Sequence, residues 1–534
     1  MRRSLSLLAL ALGTALLAAS VAPAGPGSNH RILRVNMADS DINYMDPALN
    51  YDFYGWQLGF VTCLKLLNYP DKSGAAGARI GPEAATAMPR VSADGRSYTF
   101  NVRKGFRFSD GSTVTPRSFV RSLERVLHPK TASPGAQFYA DIVGADAFIA
   151  GKAKRLRGAT VAGDRITIRI TKPAPDFLAR LGMNFTCAVP ENLPVDPKGV
   201  NVLPGAGPYY VAAKTSGRSI VLKRNPYYGG TRPQKLDEIR VTVGVDTNQS
   251  YLQVKGGEAD YDLAGLPPSA HAELTSKYGI NRGRYFVHSA NTIQYIALNT
   301  SRPLFADVRA RQAVANAIDR PALVRLWGLN GGSPSDQLLP PGIAGYRDAR
   351  IYPLDKPNVT KALQLLGGKT GKAVLYAGND PVSKSSVQVI QANLKRIGIE
   401  VEPKVFTFAV VIEKAGRQGE PFDMFYIGWF ADYADPYDFI NVLLHGRAIS
   451  KTNSINTAYW NDPEYNRKMD AAARLSGDAR YRAYGALDID ITRNASPFVI
   501  AMNGTTREFI SERVGCYSYQ PAWGQMNLAL VCLK

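Results

Sequence analysis

The sequence predicts an α/β protein with more than one packed core, mixed but mainly parallel sheets and an additional small α+β subdomain. The chain has 534 residues, whereas one domain usually has roughly 100 to 200. Strand and helix patterns alternate from about residue 291, and short strand patterns dominate residues from about 75 to 200. The composition agrees, because 45% hydrophobic and 20% charged residues are typical of a soluble globular protein.

The first 24 residues are typical of a secretory signal peptide. Arg2 and Arg3 precede an apolar run over residues 5–19, and small residues follow at Ala22 and Ala24. The run is shorter than the roughly 20 residues that span a bilayer, although a retained N-terminal anchor remains the alternative. We therefore expect export to the periplasm or the cell exterior after cleavage. No cysteine lies near the cleavage position, so a lipoprotein anchor is not expected.

The first part of the mature chain contains short strands and two helical stretches. In chain order, the predicted elements are a strand over 31–37, a helical stretch within 51–67, strands over 98–103 and 106–108, a helix started by Thr115 and Pro116, and a hairpin that turns at 163–164. The strands and the helix between about 75 and 200 predict a small α+β subdomain.

From about residue 291 the predicted elements alternate between strand and helix. They are a strand over 292–298, helices started by Asp307 and Asp319, a strand over 373–377, a helix from Asp380 to about 398, a strand over 399–405, a helix over 408–415 and a strand over 423–427. This order predicts a doubly wound lobe with a mainly parallel sheet. Ligands of such sheets bind beyond the carboxyl ends of the strands.

The segment that follows residue 427 has residue types suited to binding a ligand. Gly428 allows close approach to the backbone, Trp429 offers an apolar wall and Asp432 offers a charge for an ammonium group. A purely structural interpretation stays open at this point. Trp429 can belong to the core, and Asp432 or Asp435 can cap a helix.

No enzyme signature is present in the sequence. A phosphate-binding loop at residues 368–370 would need a glycine in place of Leu363, and the GxSxG, HExxH and SxxK patterns are absent. The histidines share no metal-ligand spacing, and they are His30, His128, His271, His288 and His445. The sequence therefore predicts a protein that is not an enzyme and that uses neither a cofactor nor a metal.

The net charge of +20 does not indicate nucleic-acid binding. The 64 Lys and Arg residues are spread over the whole length, and the densest cluster is only Lys152, Lys154, Arg155 and Arg157. A dispersed basic surface is typical of a solvated face, and export separates the protein from most nucleic acid.

The four cysteines lie in the mature chain, where an oxidising compartment permits disulfides. Spacing favours Cys516 with Cys532, which leaves Cys63 for Cys187. Four cysteines allow three connectivities, and buried free thiols are the other possibility.

Several segments occur in the order that is characteristic of one protein family. They are Met45-Asp46-Pro47, residues 97–105 and 108–111, Gly205-Ala206-Gly207-Pro208-Tyr209, Arg224-Asn225-Pro226-Tyr227-Tyr228, Ala297-Leu298-Asn299-Thr300, residues 308–313 and Ala317-Ile318-Asp319-Arg320. Over nearly its full mature length the chain resembles the extracellular solute-binding proteins of peptide ABC transporters. Residues 129–134 and 428–433 resemble the oligopeptide branch in particular.

This resemblance implies a two-lobed fold of the type II periplasmic-binding-protein kind with an inserted subdomain. Lobe I would comprise residues 30–75, 201–289 and 500–534, the inserted subdomain residues 76–200, and lobe II residues 290–499. It also implies a monomer that captures oligopeptides between its lobes and delivers them to the membrane permease subunits of an ABC transporter.

The resemblance also implies the site. Asp432 would pair with the peptide α-ammonium, and the backbone of Gly428, Trp429 and Phe430 would bind the peptide as an added strand. Tyr51 and Phe53 would provide strand-like contacts from across the cleft, and Phe138 would lie near the pocket.

The chain also departs from its relatives at a few positions. Gly135 and Phe138 stand where a close relative has tyrosines, which removes hydroxyl donors from the pocket. Residues 115–118 replace the usual Ala-Glu-Asp helix start, a change that we expect to matter little for function.

The same fold is compatible with other ligands and functions. The same fold serves nickel chelates, oligosaccharides and opines. Outside transport, a secreted hydrolase would have to turn over a bound peptide. An envelope chaperone or a signalling module would bind an unfolded protein or a sensor partner.

Overall fold

The computed structural model describes residues 31–38 and 41–534. The predicted signal peptide, residues 1–24, lies outside the described residues. Within them, no helix has the length and apolar character needed to cross a membrane.

The strands of the described chain are mostly short, and two long ones, β12 and β17, stand out. The strands are β1 (Ile32–Ala38), β2 (Leu67–Asn68), β3 (Gly81–Pro82), β4 (Arg90–Val91), β5 (Ser97–Asn101), β6 (Ala159–Ala162), β7 (Arg165–Arg169), β8 (Tyr209–Thr215), β9 (Ser219–Arg224), β10 (Glu238–Val245), β11 (Tyr261–Asp262), β12 (Tyr285–Leu298), β13 (Gly332–Pro334), β14 (Gly371–Gly378), β15 (Ile399–Phe406), β16 (Met424–Phe430), β17 (Phe498–Phe509), β18 (Val514–Cys516), β19 (Tyr519–Gln520), β20 (Gln525–Met526) and β21 (Cys532–Leu533).

The α-helices lie between these strands. They are α1 (Phe53–Thr62), α2 (Gly74–Gly77), α3 (Pro116–Leu127), α4 (Ala145–Ile149), α5 (Phe177–Arg180), α6 (Thr247–Gly256), α7 (Ala270–Tyr278), α8 (Pro303–Ala306), α9 (Val308–Ala317), α10 (Arg320–Leu326), α11 (Val359–Leu366), α12 (Pro381–Lys395), α13 (Phe408–Ala415), α14 (Pro436–Leu444), α15 (Pro463–Arg474) and α16 (Gly477–Asp490).

A five-stranded sheet organises lobe I, in the order β11-β1-β10-β9-β8. Strand β1 runs parallel to both of its neighbours, whereas β9 is antiparallel to β10 and to β8. The sheet therefore joins the predicted N-terminal strand to strands between residues 209 and 262, where the sequence patterns predicted no elements.

A six-stranded sheet, in the order β13-β17-β12-β16-β14-β15, lies mainly in the predicted lobe II, and its strands β12 and β17 cross the boundaries predicted at residues 290 and 500. Strand β14 is parallel to β15 and β16, but β12 is antiparallel to β16 and β17. The sheets are mixed as predicted, yet parallel pairing does not dominate. A parallel pair needs a crossover connection, usually a helix, and here only α12 and α13 provide one.

A four-stranded antiparallel sheet, β4-β5-β7-β6, lies together with α3 within the segment that was predicted as an α+β subdomain. The predicted hairpin at residues 163–164 is confirmed as the β6–β7 connection. The predicted strand over 106–108 is wrong, because this segment makes only an isolated bridge between Arg107 and Thr113. Phe106 and Phe108 are buried in the core, so their alternation reflects packing without a neighbouring strand.

Most predicted helix starts are confirmed, because each depends on local capping. The carboxylates of Asp307, Asp319 and Asp380 accept hydrogen bonds from backbone N–H groups in the first turns of α9, α10 and α12. At the start of α3, which departs from the family pattern, the Thr115 N–H donates to Ser118 Oγ at 3.2 Å.

Two disulfides join the cysteines in the pairs that the sequence favoured. Cys63 at the end of α1 is bonded to Cys187 in the subdomain, and Cys516 in β18 is bonded to Cys532 in β21. The subdomain and lobe I also share one apolar core, which includes Leu33, Phe100 and Phe177. The inserted segment is therefore packed onto lobe I and held to it covalently.

Candidate functional site

The segment Gly428-Trp429-Phe430 lies within β16 and not beyond it, which corrects the sequence-based placement. Strand β12 pairs with β16 as far as Thr292 opposite Phe430. Pairing with β12 extends β16 to residue 430, three residues past the end that was predicted at residue 427. Asp432 consequently lies just past the strand, at the carboxyl end of β16.

One edge of β16 is left without a strand partner. Strand β14 pairs with β16 only through Leu375 and Tyr376, opposite Met424 and Phe425, and no other described strand pairs on that side. On the β12 side, the Ala431 N–H donates to the Asn291 carbonyl at 2.9 Å. Because antiparallel strands alternate their hydrogen-bonding direction, the backbone groups of residues 428 and 430 point towards the open edge. An extended peptide can pair there.

Asp432 is a buried carboxylate with no cationic partner among the described residues. Its side chain is 7% exposed, and Oδ2 accepts a hydrogen bond of 2.7 Å from the Tyr51 hydroxyl in lobe I. Burial raises the pKa of Asp432 to about 7, although the Tyr51 hydrogen bond opposes this rise. The carboxylate is thus suited to a cation that arrives from outside the protein.

Asp438 is a second buried carboxylate that the sequence analysis missed. It lies in the first turn of α14, where its Oδ2 accepts bonds from the Asp432 N–H at 3.0 Å and from Trp429 Nε1 at 3.1 Å. Its Oδ1 is buried and has no hydrogen-bond partner among the described residues. Burial and the charge of Asp432 raise the pKa of Asp438 well above its ordinary value. In the sequence it looks like an ordinary acidic residue of a helix start.

The other acidic groups near this pair contact arginines. Asp435 accepts two bonds from Arg480, at 2.6 and 2.7 Å, and also caps α14 by accepting the Tyr437 N–H. The helix-cap interpretation was therefore correct for Asp435. Asp141 and Asp176 share Arg180, at 2.9 and 3.0 Å. Asp432 and Asp438 differ from them, because neither forms a salt bridge within the described residues.

The predicted residues of lobe I and of the inserted subdomain lie opposite this charge. The Tyr51 ring packs 5.6 Å from Phe185 and 6.2 Å from Phe138, and the Phe53 ring lies 4.2 Å from Phe430. The structure thus brings Tyr51, Phe53 and Phe138 to the face that Asp432 and Phe430 approach from lobe II.

Phe185 belongs to this aromatic wall and was not predicted. A Cβ atom at Gly135 would lie only 2.7 Å from the Phe185 ring. The phenyl ring of Phe185 therefore occupies the space next to the position where a relative carries tyrosine. Replacement of that tyrosine by Gly135 was the available signal in the sequence.

The described residues contain no group of three or more His, Cys, Asp or Glu side chains that could hold a metal ion. The site therefore consists of an acidic pair, an open strand edge and an aromatic wall. This arrangement can bind an ammonium group and an extended backbone without covalent chemistry.

Residues 79–451 match the model of a family described as bacterial extracellular solute-binding proteins, family 5 middle. Heme-binding protein A of Haemophilus influenzae is 28% identical over 473 residues, which cover 81% of this chain and 80% of that protein. The dipeptide-binding protein DppE of Bacillus subtilis is 26% identical over 466 residues, covering 83% and 81%. Among solved structures, clavulanic acid biosynthesis oligopeptide binding protein 2 superposes with a TM-score of 0.87 at 24% identity, covering 94% of this chain and 96% of that one.

Proposed function

The chain belongs to family 5 of the bacterial extracellular solute-binding proteins, and from this premise we propose that it captures oligopeptides with a free amino terminus. The peptide would lie between the lobes with its α-ammonium on Asp432. The protein would then deliver it to the permease subunits of an ABC transporter, as a secreted monomer without a cofactor or enzymatic activity. The observation that carries this proposal is the buried carboxylate of Asp432, which faces lobe I without a cation.

Charge explains why this ligand would have a free amine. A buried, uncompensated carboxylate is costly, whereas an ammonium group that enters the cleft supplies both a positive charge and hydrogen-bond donors. Acetylation of the peptide amine removes that charge and leaves a bulky neutral group. We therefore expect acetylated peptides to bind poorly.

The open edge of β16 explains why the rest of the ligand would be a peptide. Backbone groups of residues 428 and 430 can pair with an extended chain, and main-chain pairing binds peptides largely independently of their side chains. The aromatic rings of Tyr51, Phe138 and Phe185 would cover the apolar parts of that chain. This combination favours a peptide over a nickel chelate or a sugar.

Removal of the Asp432 carboxylate tests the proposal. We expect Asp432→Ala to lower the affinity for tri-alanine at least tenfold, or about 1.4 kcal/mol, because the buried ammonium loses its counter-charge. Isothermal titration calorimetry on the mature chain measures this change. The matched control is Asp478→Ala, which removes an exposed acid of α16 from the same lobe and should leave the affinity unchanged.

A blocked peptide completes this test. N-acetyl-tri-alanine should bind the unaltered protein at least tenfold more weakly than tri-alanine. Equal binding of the two peptides, or unchanged tri-alanine binding by Asp432→Ala, would refute the role of Asp432.

The natural ligand can be identified independently of any variant. Mass spectrometry of small molecules released by denaturing the protein, after purification from its native secretion route, should show short peptides with free amino termini. Slow dissociation allows a closed cleft to retain ligand through purification. A single non-peptide species would retain the transport role and overturn the ligand class.

A further inference from the structure

Asp432 and Asp438 together place two carboxyl groups where only one positive charge is expected to arrive. The Asp432 N–H donates directly to Asp438 Oδ2 at 3.0 Å, so the backbone links the second carboxyl to the residue that carries the first. Asp438 is fully buried, and within the part of the chain that the structure describes its Oδ1 has no hydrogen-bond partner. If both groups were ionised, a single ammonium group would leave one buried negative charge unpaired, which is unfavourable.

No cation of the described residues is free to neutralise this pair. Two buried guanidinium groups of this region already contact carboxylates: Arg180 contacts both Asp141 and Asp176, and Arg480 contacts Asp435. The titratable and charged groups around the pair come from both lobes and the subdomain, and they are Tyr51, Tyr69, Tyr139, Asp141, Asp176, Arg180, Tyr433, Asp435, Arg480 and Tyr484. The pair must therefore be neutralised by protons or by the ligand.

We propose that Asp432 and Asp438 form one acidic unit that releases a proton when the ligand's ammonium group binds. This inference rests on the proposed function and concerns how the same site is regulated. The proton leaves a carboxyl oxygen of Asp432 for water, while Asp438 keeps its own proton and the ammonium keeps all of its hydrogens. The bound site then contains one carboxylate and one ammonium, so its charges cancel.

Burial supports this order of proton loss. The pKa of Asp432 is raised to about 7, whereas that of Asp438 is raised well above its ordinary value, first by burial and then by the charge of Asp432. Asp432 is less completely buried than Asp438 and accepts the Tyr51 hydrogen bond, so Asp432 is the group that gives up its proton near neutral pH. Below pH 7 the ligand must displace this proton, so its affinity should fall about tenfold for each further pH unit.

Calorimetry at pH 6 in buffers of different ionisation enthalpy tests the proposal directly. At this pH the tri-alanine amine is already protonated, because its ordinary pKa is about 7.7 to 8.0. The slope of the observed binding enthalpy against the buffer ionisation enthalpy gives the number of protons released. We expect about one proton per peptide bound, and a slope of zero would overturn the proposal.

Asp438→Asn tests whether the second carboxyl group stays protonated. The amide matches a neutral carboxylic acid in shape and charge, so the number of protons released at pH 6 should stay the same. We expect a slope close to that of the unaltered protein and of the control Asp478→Asn, with tri-alanine still bound. A slope below half of the unaltered value would contradict a protonated Asp438.

The proposal can also be tested if Asp438→Asn does not fold. In that case Asp438→Ser replaces it. A zero slope of the unaltered protein overturns the proposal without any variant. Failure of this inference is distinct from failure of the proposed function. Tri-alanine that binds with a zero slope overturns only the proton release, whereas tri-alanine that does not bind at all overturns the function.

Discussion

At the scale of single residues, the ionisation of the Asp432 carboxyl group depends on the groups that surround it. Its nearest side-chain donor, the Tyr51 hydroxyl, comes from the opposite lobe. That bond stabilises the ionised form of Asp432, whereas burial opposes ionisation. In the proposed function, lobe I would therefore do more than cover the ligand, because its Tyr51 hydroxyl would also adjust the charge of the group that binds the ligand.

Tyr51→Phe should weaken peptide binding in a pH-dependent manner. Loss of the hydroxyl removes a bond that lowers the pKa of Asp432, so this pKa should rise and a larger fraction of Asp432 should be protonated at pH 6.5. We expect affinity for tri-alanine to fall about three- to tenfold at pH 6.5, or about 0.7 to 1.4 kcal/mol, and clearly less at pH 8.

The same titrations with Tyr227→Phe provide the control, because Tyr227 is 49% exposed and lies outside the cleft. An equal loss at both pH values for Tyr51→Phe would show that Tyr51 binds the peptide directly and does not act through Asp432.

At the scale of elements, local signals predicted helix starts better than strand ends. Asp307, Asp319 and Asp380 start helices as predicted, because an N-cap needs only its own first turn. The end of β16 depends on β12, which is more than 120 residues distant along the chain and extends the pairing to Phe430. No pattern within residues 423–430 contains that information.

The residues of the candidate site could be predicted where they lie in or near a segment that resembles the family, and not elsewhere. Asp432 and Phe430 lie in the segment that resembles the family, and the structure brings Tyr51 and Phe53 to them. Asp438 was missed because an acidic residue in the first turn is ordinary for a helix. Only the tertiary fold shows that it is fully buried beneath Asp432.

The two disulfides should stabilise the folded chain by different amounts. Loop closure predicts that Cys63–Cys187, with a sequence separation of 124, stabilises the folded chain by about 5 kcal/mol, and Cys516–Cys532, with a separation of 16, by about 3 kcal/mol. We expect the Cys63→Ser/Cys187→Ser variant to show a larger decrease in Tm than Cys516→Ser/Cys532→Ser. Differential scanning calorimetry measures both decreases, with the unaltered protein as reference.

A larger decrease in Tm for Cys516→Ser/Cys532→Ser would show that the C-terminal disulfide stabilises the β18–β21 pairing more than Cys63–Cys187 stabilises the contact between lobe I and the subdomain. In that case unfolding would start at the C-terminal strands. Equal decreases would contradict loop length as the determining factor.

At the scale of the whole molecule, two strands and a few side chains govern how the lobes meet. Strands β12 and β17 pair along most of their length, with register shifts between Ser289 and Ile293, and connect the six-stranded sheet with lobe I. From lobe II, Tyr433 is buried in the core of lobe I and donates to Asp176 at 3.2 Å. These contacts lie next to Asp432, so in the proposed function closure and ammonium binding would occur at one place.

Phe430 should slow peptide release by holding the lobes together. Its ring lies 4.2 Å from Phe53 and against Gly524, both in lobe I, so Phe430→Ala removes a contact that forms only when the lobes meet. An aromatic pair contributes about 0.5 to 1.5 kcal/mol, so we expect the dissociation rate to rise about two- to tenfold with little change in the association rate. Stopped-flow tryptophan fluorescence measures both rates.

Phe408→Ala, which removes a 71% exposed ring of the same lobe, should change neither rate. A slower association with unchanged dissociation would instead place Phe430 on the entry path of the ligand.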